Sequence, residues 1–191
     1  PRKEPVQERS RFTVEAIVEA TFRVLESHGV AGLTTTLVAK RAGVSVGTLY
    51  QYFPSREALL EQVLLRHRQE TIDRLVEVLA KTREQSLEIQ VRALVSALIE
   101  FKRRSPRLSW ELSTQLPPTK GLSRKHDLAP IFRRLLEESG GEASTVPRAA
   151  IFAAVHGVEG ALVRALDDPE ILESEEFEKS LVRMALAALA A

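Results

Sequence analysis

Apolar positions recur at three- and four-residue intervals along most of the chain, the spacing that lines one face of an α-helix. From Thr13, a stripe of Ile17, Ala20, Val24 and Leu25 runs to His28-Gly29, a basic residue in a last turn followed by a glycine stop. Ser55 to Lys81 contains no glycine or proline and carries Leu60, Val63, Leu64, Ile72, Leu75, Val76 and Leu79. At ~1.5 Å per residue that stretch predicts a rod of roughly 40 Å. Leu87 to Arg103 repeats the pattern with Val91, Leu94, Val95, Leu98 and Ile99 inward. Pro106 restarts the chain through Leu108, Trp110, Leu112 and Leu116, and Pro117-Pro118 stops it. Further helices are expected over Leu128–Ser139 (ended by Gly140-Gly141), Pro147–Leu166 and Glu175–Ala190. No stretch alternates at period two for long enough to suggest a sheet, so the expected class is all-α.

Between the first stripe and the long rod lies Thr34 to Phe53, TTTLVAKRAGVSVGTLYQYF. It parses as two short helices around a tight turn. Thr34 is placed to cap the first, and Val38, Ala39 and Ala42 share its inner face. Gly43 supplies the turn, Val44 the corner plug and Ser45 the next cap, with Leu49 and Phe53 inward at i and i+4. The opposite face of the second helix carries Gly47 and Gln51, flanked by Val46, Thr48 and Tyr50. It is small, polar and nearly uncharged, where a solvated helix would carry Glu and Lys.

A major groove of B-DNA admits one such helix. Gly47 removes a side chain where backbones must come close. Gln51 suits an adenine edge, and Thr48 or Val46 a thymine methyl. Tyr50, Tyr52, Thr34 and Thr35 offer hydroxyls to phosphates, and Arg56 adds charge beside a helix N-terminus that favours anions. Leu49 and Phe53 are core, Lys40 and Arg41 solvated charge near the DNA edge. Tyr52 has a second reading, with its ring packed inward and only its hydroxyl at the rim.

The stretches IVEATFRVLESHG, LVAKRAGVS, GTLYQYF and SREAL, from about Ile17 to Leu60, resemble in order and spacing the DNA-binding signature of the tetracycline-repressor (TetR) family of bacterial transcription regulators. The resemblance implies an N-terminal three-helix helix-turn-helix DNA-binding domain, residues 1–56, and a larger C-terminal helical domain, residues 57–191, for effector binding and dimerisation. It assigns the positions of Val46, Gly47, Thr48 and Gln51 to bases and those of Thr34, Thr35, Tyr50, Tyr52 and Arg56 to the DNA backbone. The chain departs from the family at Thr36, where arginine is common, and at Leu37, often a charged position. Beyond Leu60 the likeness extends only to length and helical character.

Charge and composition sharpen this picture. The 191 residues carry a net charge of only +1, but the charge is unevenly spread. Arg2, Lys3, Arg9, Arg11, Arg23, Lys40, Arg41 and Arg56 outnumber the acids of residues 1–56, whereas residues 167–178 hold acids and no base. A basic end fits a face presented to a polyanion. The opening PRKEPVQERSR reads either as a disordered tail or as a basic arm reaching phosphates or a minor groove. With no cysteine, thiol chemistry and cysteine-ligated metals are excluded. No apolar run approaches a membrane span and no signal-peptide pattern opens the chain, so a cytoplasmic protein without membrane association is expected. No nucleophile elbow, P-loop, dinucleotide fingerprint or HExxH occurs, and no two histidines stand at i, i+4. An enzyme, a cofactor and a metal site are therefore not expected.

One reading helix buries too little to be specific, so a homodimer on a palindromic double-stranded operator is expected, its reading helices ~34–36 Å apart. The Pro147–Leu166 helix, rich in alanine and glycine, and the final helix suit a four-helix interface between two chains. The same small residues also suit packing within one chain, and the family resemblance favours the interface. Phe101, Trp110, Phe132 and Phe152, with His156, Gln115 and Ser113 as polar contacts, are candidates for the lining of a small-molecule effector pocket. The function expected is a repressor released from DNA by a small molecule. The alternative is a ligand-independent DNA-binding protein with an architectural or cell-division role.

Overall fold

The computed structural model of the chain describes residues 4–114, 129, 132–133 and 146–190. Every regular element among them is helical. The chain divides into two compact units, Pro1–His67 and Arg68–Ala191.

The first unit begins with α1 (Glu4–Gly32), which starts nine residues before the expected Thr13. Gln, Glu and Arg are good helix formers, and Pro5 falls in the first turn, where its missing N–H costs nothing. The arm residues Arg2 and Lys3 lie outside the described residues. The helix breaks at Gly29, whose φ of 69° is left-handed; only glycine adopts this without strain. Ile17, Val24 and Leu25 are fully buried, and Thr21, also buried, satisfies its hydroxyl on the Ile17 carbonyl at 2.7 Å. α2 (Thr35–Ala42) packs on α1, and α3 (Val46–Tyr52) on α2. α4 (Arg56–Thr82) starts in this unit, capped by Ser55 Oγ on the Ala58 N–H, and buries Leu59, Leu60 and Val63.

The second unit takes the far half of α4, where Leu75, Val78 and Leu79 form the buried stripe. Val76, expected inward, is 40% exposed, because i, i+3, i+4 spacing from Leu75 leaves it on the outer face. α5 (Leu87–Arg104) buries Val91, Leu94, Val95, Leu98 and Ile99, the five residues that its periodicity marks. Buried Gln90 fastens the α4–α5 turn by donating to the carbonyls of Arg83 and Gln85 at 3.4 and 3.0 Å. α6 (Pro106–Thr114) follows. Of the helix expected over 128–139, Ala129, Phe132 and Arg133 are helical. The rest of it, Gln115, Leu116, the Pro117-Pro118 stop and Gly140-Gly141 lie outside the described residues.

α7 (Arg148–Ala165), α8 (Pro169–Leu172) and α9 (Glu175–Leu189) complete the unit. Most of the acids of residues 167–178 stand at helix starts, while Glu173, at the end of α8, pairs with Arg103. Asp168 caps α8, while Glu175, Glu176 and Glu178 occupy the first turn of α9 behind its Ser174 cap. α7 and α9 pack closely on each other. At Gly157 an added Cβ would stand 3.4 Å from the Met184 Cε. Arg103 ties α5 to α8, its Nε and Nη2 reaching the Leu172 carbonyl at 3.1 and 2.7 Å.

Candidate nucleic-acid interface

Short helices need help at their ends, because four N–H and four C=O groups at each terminus lack intrahelical partners. Here every cap that the sequence offers is made. Thr34 Oγ1 accepts the Leu37 N–H at 3.2 Å. Gly43, at φ 69°, bonds its N–H to the Lys40 carbonyl, while the Val44 N–H reaches the Ala39 carbonyl at 3.0 Å. This double closure is the Schellman arrangement. Ser45 Oγ then accepts the Thr48 N–H at 2.9 Å and lies 2.8 Å from the Thr48 hydroxyl. Leu49 is fully buried and Phe53 nearly so. The rotation of α3 about its axis is fixed by those two anchors.

That rotation decides what faces outward. Val46, Gly47, Tyr50 and Gln51 are exposed, and Thr48 is half-buried at their side. Tyr50 is 49% exposed, and its hydroxyl lies 3.2 Å from that of Thr35. Thr34 is exposed, Thr35 half-buried, and Lys40 and Arg41 stand exposed in the last turn of α2. Tyr52 is half-buried, which suits an inward ring with an outer rim. Gly47 has room: a Cβ there would meet only Ser45 Oγ at 3.7 Å, so nothing inside the fold requires glycine at this position.

Arg56 is placed differently from its neighbours. Its Nη2 donates to the Val30 carbonyl, and its Nε is buried, so it braces the segment after the Gly29 break. Sequence reasoning gave no sign of this tie, which joins positions 26 residues apart. A second feature passed over at that level is legible in the sequence: no carboxylate occurs between Glu26 and Glu57. The whole of α2, the turn and α3 present cations, hydroxyls and an amide, the donor set for a polyanion. Glu57, which closes this stretch, is held below the usual carboxylate range by its own backbone N–H, by Ser55 and by the Arg56 charge.

The second unit contains a cavity of about 60 Å³ walled by apolar side chains of α5, α7 and α9, with Phe132 and Glu159. Of the five aromatic and histidine residues expected to line a pocket, Phe132 is among the described residues that line this cavity and the other four are not. Phe101 and Trp110 are half-buried elsewhere, and Trp110 packs against the core. Phe152 is 55% exposed, since the inward stripe of α7 runs through Ile151, Ala154, Val155 and Val158. The ring of His156 stacks edgewise on Phe152 with centroids 4.2 Å apart, and its Nδ1 lies 3.4 Å from Glu159 Oε2. Among the described residues no His, Asp and Glu cluster could hold a metal ion, and no helix is long and apolar enough to cross a membrane.

Residues 17–63 match the model of the bacterial regulatory proteins of the tetR family. Among curated relatives, the nucleoid occlusion factor SlmA of Haemophilus ducreyi is 33% identical over 104 residues, 54% of this chain and 49% of that protein. The chain thus spans about half the length of the curated relatives it matches. A putative tetR family transcription regulator from Shewanella sp. PV-4 superposes with a TM-score of 0.70 at 24% identity, covering 93% of this chain and 97% of that one. The multidrug binding protein EbrR, solved in complex with imidazole, gives a TM-score of 0.70 at 19% identity over 92% of this chain and 93% of its own. These two likenesses extend the shared fold through both units. With its capped helix-turn-helix, the stretch of residues 17–63 is a domain of the tetR family of bacterial regulatory proteins.

Proposed function

We propose that the protein is a sequence-specific DNA-binding transcription regulator, a homodimeric repressor that leaves a palindromic operator when a small molecule binds the second unit. The observation that carries this reading is the outer face of α3, with Val46, Gly47, Thr48 and Gln51 toward solvent on a surface without carboxylates. These four are the proposed base readers. Thr34, Thr35, Tyr50 and Tyr52 supply phosphate contacts, and Arg56, tied to Val30, adds positive charge from the domain side. Dimerisation is supported by an exposed small-residue face: Ala149, Phe152, Ala153 and Gly160 on α7, with Met184 and Ala187 on α9. The apolar cavity supports an effector site, and release follows if the ligand favours a conformer whose reading helices no longer match the groove spacing. Fragments selected from random duplex DNA should yield an inverted repeat. No preference over scrambled competitor at modest salt would overturn the reading.

The SlmA relatives favour a second reading, a DNA-bound role in nucleoid occlusion without an effector. A small-molecule screen on the operator complex separates the two. Ligand-induced release supports the repressor, whereas intact DNA binding with no ligand response supports the second reading.

A further inference from the structure

The cavity of the second unit is walled almost wholly by hydrocarbon, from Leu94, Leu98, Val155, Ala185 and their neighbours. Glu159 belongs to the lining without turning its carboxylate inward. That carboxylate is met within the protein. His156 Nδ1 lies 3.4 Å from Glu159 Oε2. The Lys102 ammonium, held below the usual lysine range by burial, is drawn back up by the Glu159 charge. A polar or charged group entering the cavity gives up its hydration, and the described residues of the wall turn almost no donor or acceptor toward it. A hydrocarbon group gives up no hydrogen bond and gains dispersion contacts on every side.

Resting on the reading of this cavity as the effector site, we infer that it takes an uncharged hydrocarbon group with no polar atom inside the wall, packed against Leu94 and Leu98 of α5, Val155 of α7 and Ala185 of α9. About 60 Å³ holds roughly five water-sized groups. A five-membered ring is therefore a fitting probe. Cyclopentane, tetrahydrofuran and pyrrolidine keep that ring and place a methylene, an ether oxygen or, at pH 7, a cationic nitrogen in it, so the polar atom cannot stay outside.

The test is titration of the full chain at pH 7 with each of the three, followed by the methyl NMR signals of Leu94, Leu98 and Val155. Cyclopentane should shift those methyls and bind at least about tenfold tighter than tetrahydrofuran, with pyrrolidine weakest, as expected where a polar atom finds no partner. Ala154→Leu extends a side chain from the α7 wall into the space and should weaken cyclopentane binding by about tenfold or more. If tetrahydrofuran or pyrrolidine shifts the same methyls and binds tightest to the wild type, the hydrocarbon inference is overturned while the cavity keeps its role as a ligand site. Wild-type affinity for cyclopentane in a folded Ala154→Leu would place the binding elsewhere and overturn it too. If none of the three shifts the methyls while operator binding persists, the effector-site reading falls and this inference with it. Should Ala154→Leu fail to fold, the wild-type ranking decides alone.

Discussion

The Tyr50 hydroxyl lies 3.2 Å from the Thr35 hydroxyl, joining the exposed face of α3 to the first turn of α2. Two hydroxyls held side by side at the surface keep lone pairs and a proton available for an outside partner. Both belong to short helices fixed by caps, so their spacing survives binding. Tyr50→Phe removes one of them and leaves the ring in place. Affinity for duplex DNA should fall by about 0.5–1.5 kcal/mol, equally for operator variants and unrelated sequence. Gel-shift titrations across a set of single-base operator variants measure this, and a loss confined to one base position would contradict a phosphate role.

Gly47 offers a cleaner separation of folding from binding. An added Cβ meets nothing closer than 3.7 Å within the chain, and alanine is the better helix former by about 0.8–1.0 kcal/mol. Gly47→Ala should therefore raise the melting temperature or leave it unchanged, yet weaken operator binding by tenfold or more, about 1.4 kcal/mol. Operator affinity equal to wild type would show that no DNA backbone or base comes close to this position.

Gln51 is the predicted adenine reader, exposed on the same face. Gln51→Ala should cost about 1–3 kcal/mol against the operator and relax preference at one base pair per half-site. Binding selection with the variant reads the outcome directly. Equal losses on every operator variant would remove Gln51 from the base-reading set.

What the sequence makes legible follows the range of the interaction. Thr34, Gly43 and Ser45 act on neighbours within a few residues, so caps and turn are readable as local chemistry, and their bonds are present at the expected positions. Leu49, Phe53 and the α5 stripe are equally plain from periodicity. The start of α1 is not: EPVQERSRF lacks a strong start signal, and its helical propensity carries the helix back to Glu4. The cavity is also hidden. Which aromatic rings meet depends on how separate helices turn toward one another, and Phe152 and Phe132 carry the same hydrophobic signal whether exposed or inward. The Arg56–Val30 tie escapes for the same reason.

Ser45 permits a test in which capping and electrostatics oppose each other. Its Oγ accepts the Thr48 N–H at 2.9 Å, and aspartate caps as well as serine. Ser45→Ala should destabilise the protein by about 0.5–2 kcal/mol, whereas Ser45→Asp should stay within about 0.5 kcal/mol of wild type. Aspartate also plants a negative charge in the stretch between Glu26 and Glu57 that otherwise has none. Operator binding by Ser45→Asp should then fall well beyond that of Ser45→Ala, and the gap should narrow as salt rises. Chemical denaturation paired with salt-dependent titrations reads both. If the two variants bind alike at low salt, the carboxylate-free surface is not what the DNA meets.

Phe152 tests the proposed assembly. It is 55% exposed on α7 beside Ala149, Ala153 and Gly160, and Met184 on α9 is 39% exposed. A phenyl ring so placed contributes little to the fold of one chain, because most of its surface remains in water. Between two chains, burial of its exposed half would contribute about 1–1.5 kcal/mol per copy. Phe152→Glu removes that gain and sets two like charges near the axis of a two-fold contact. Light scattering should show the wild type as a dimer and Phe152→Glu shifted toward monomer, with the thermal stability of each chain changed by less than about 0.5 kcal/mol, as at other surface positions. Operator binding should weaken as its concentration dependence steepens, since two reading helices then assemble only on the DNA. A variant that remains dimeric at micromolar concentration would move the contact away from this face of α7.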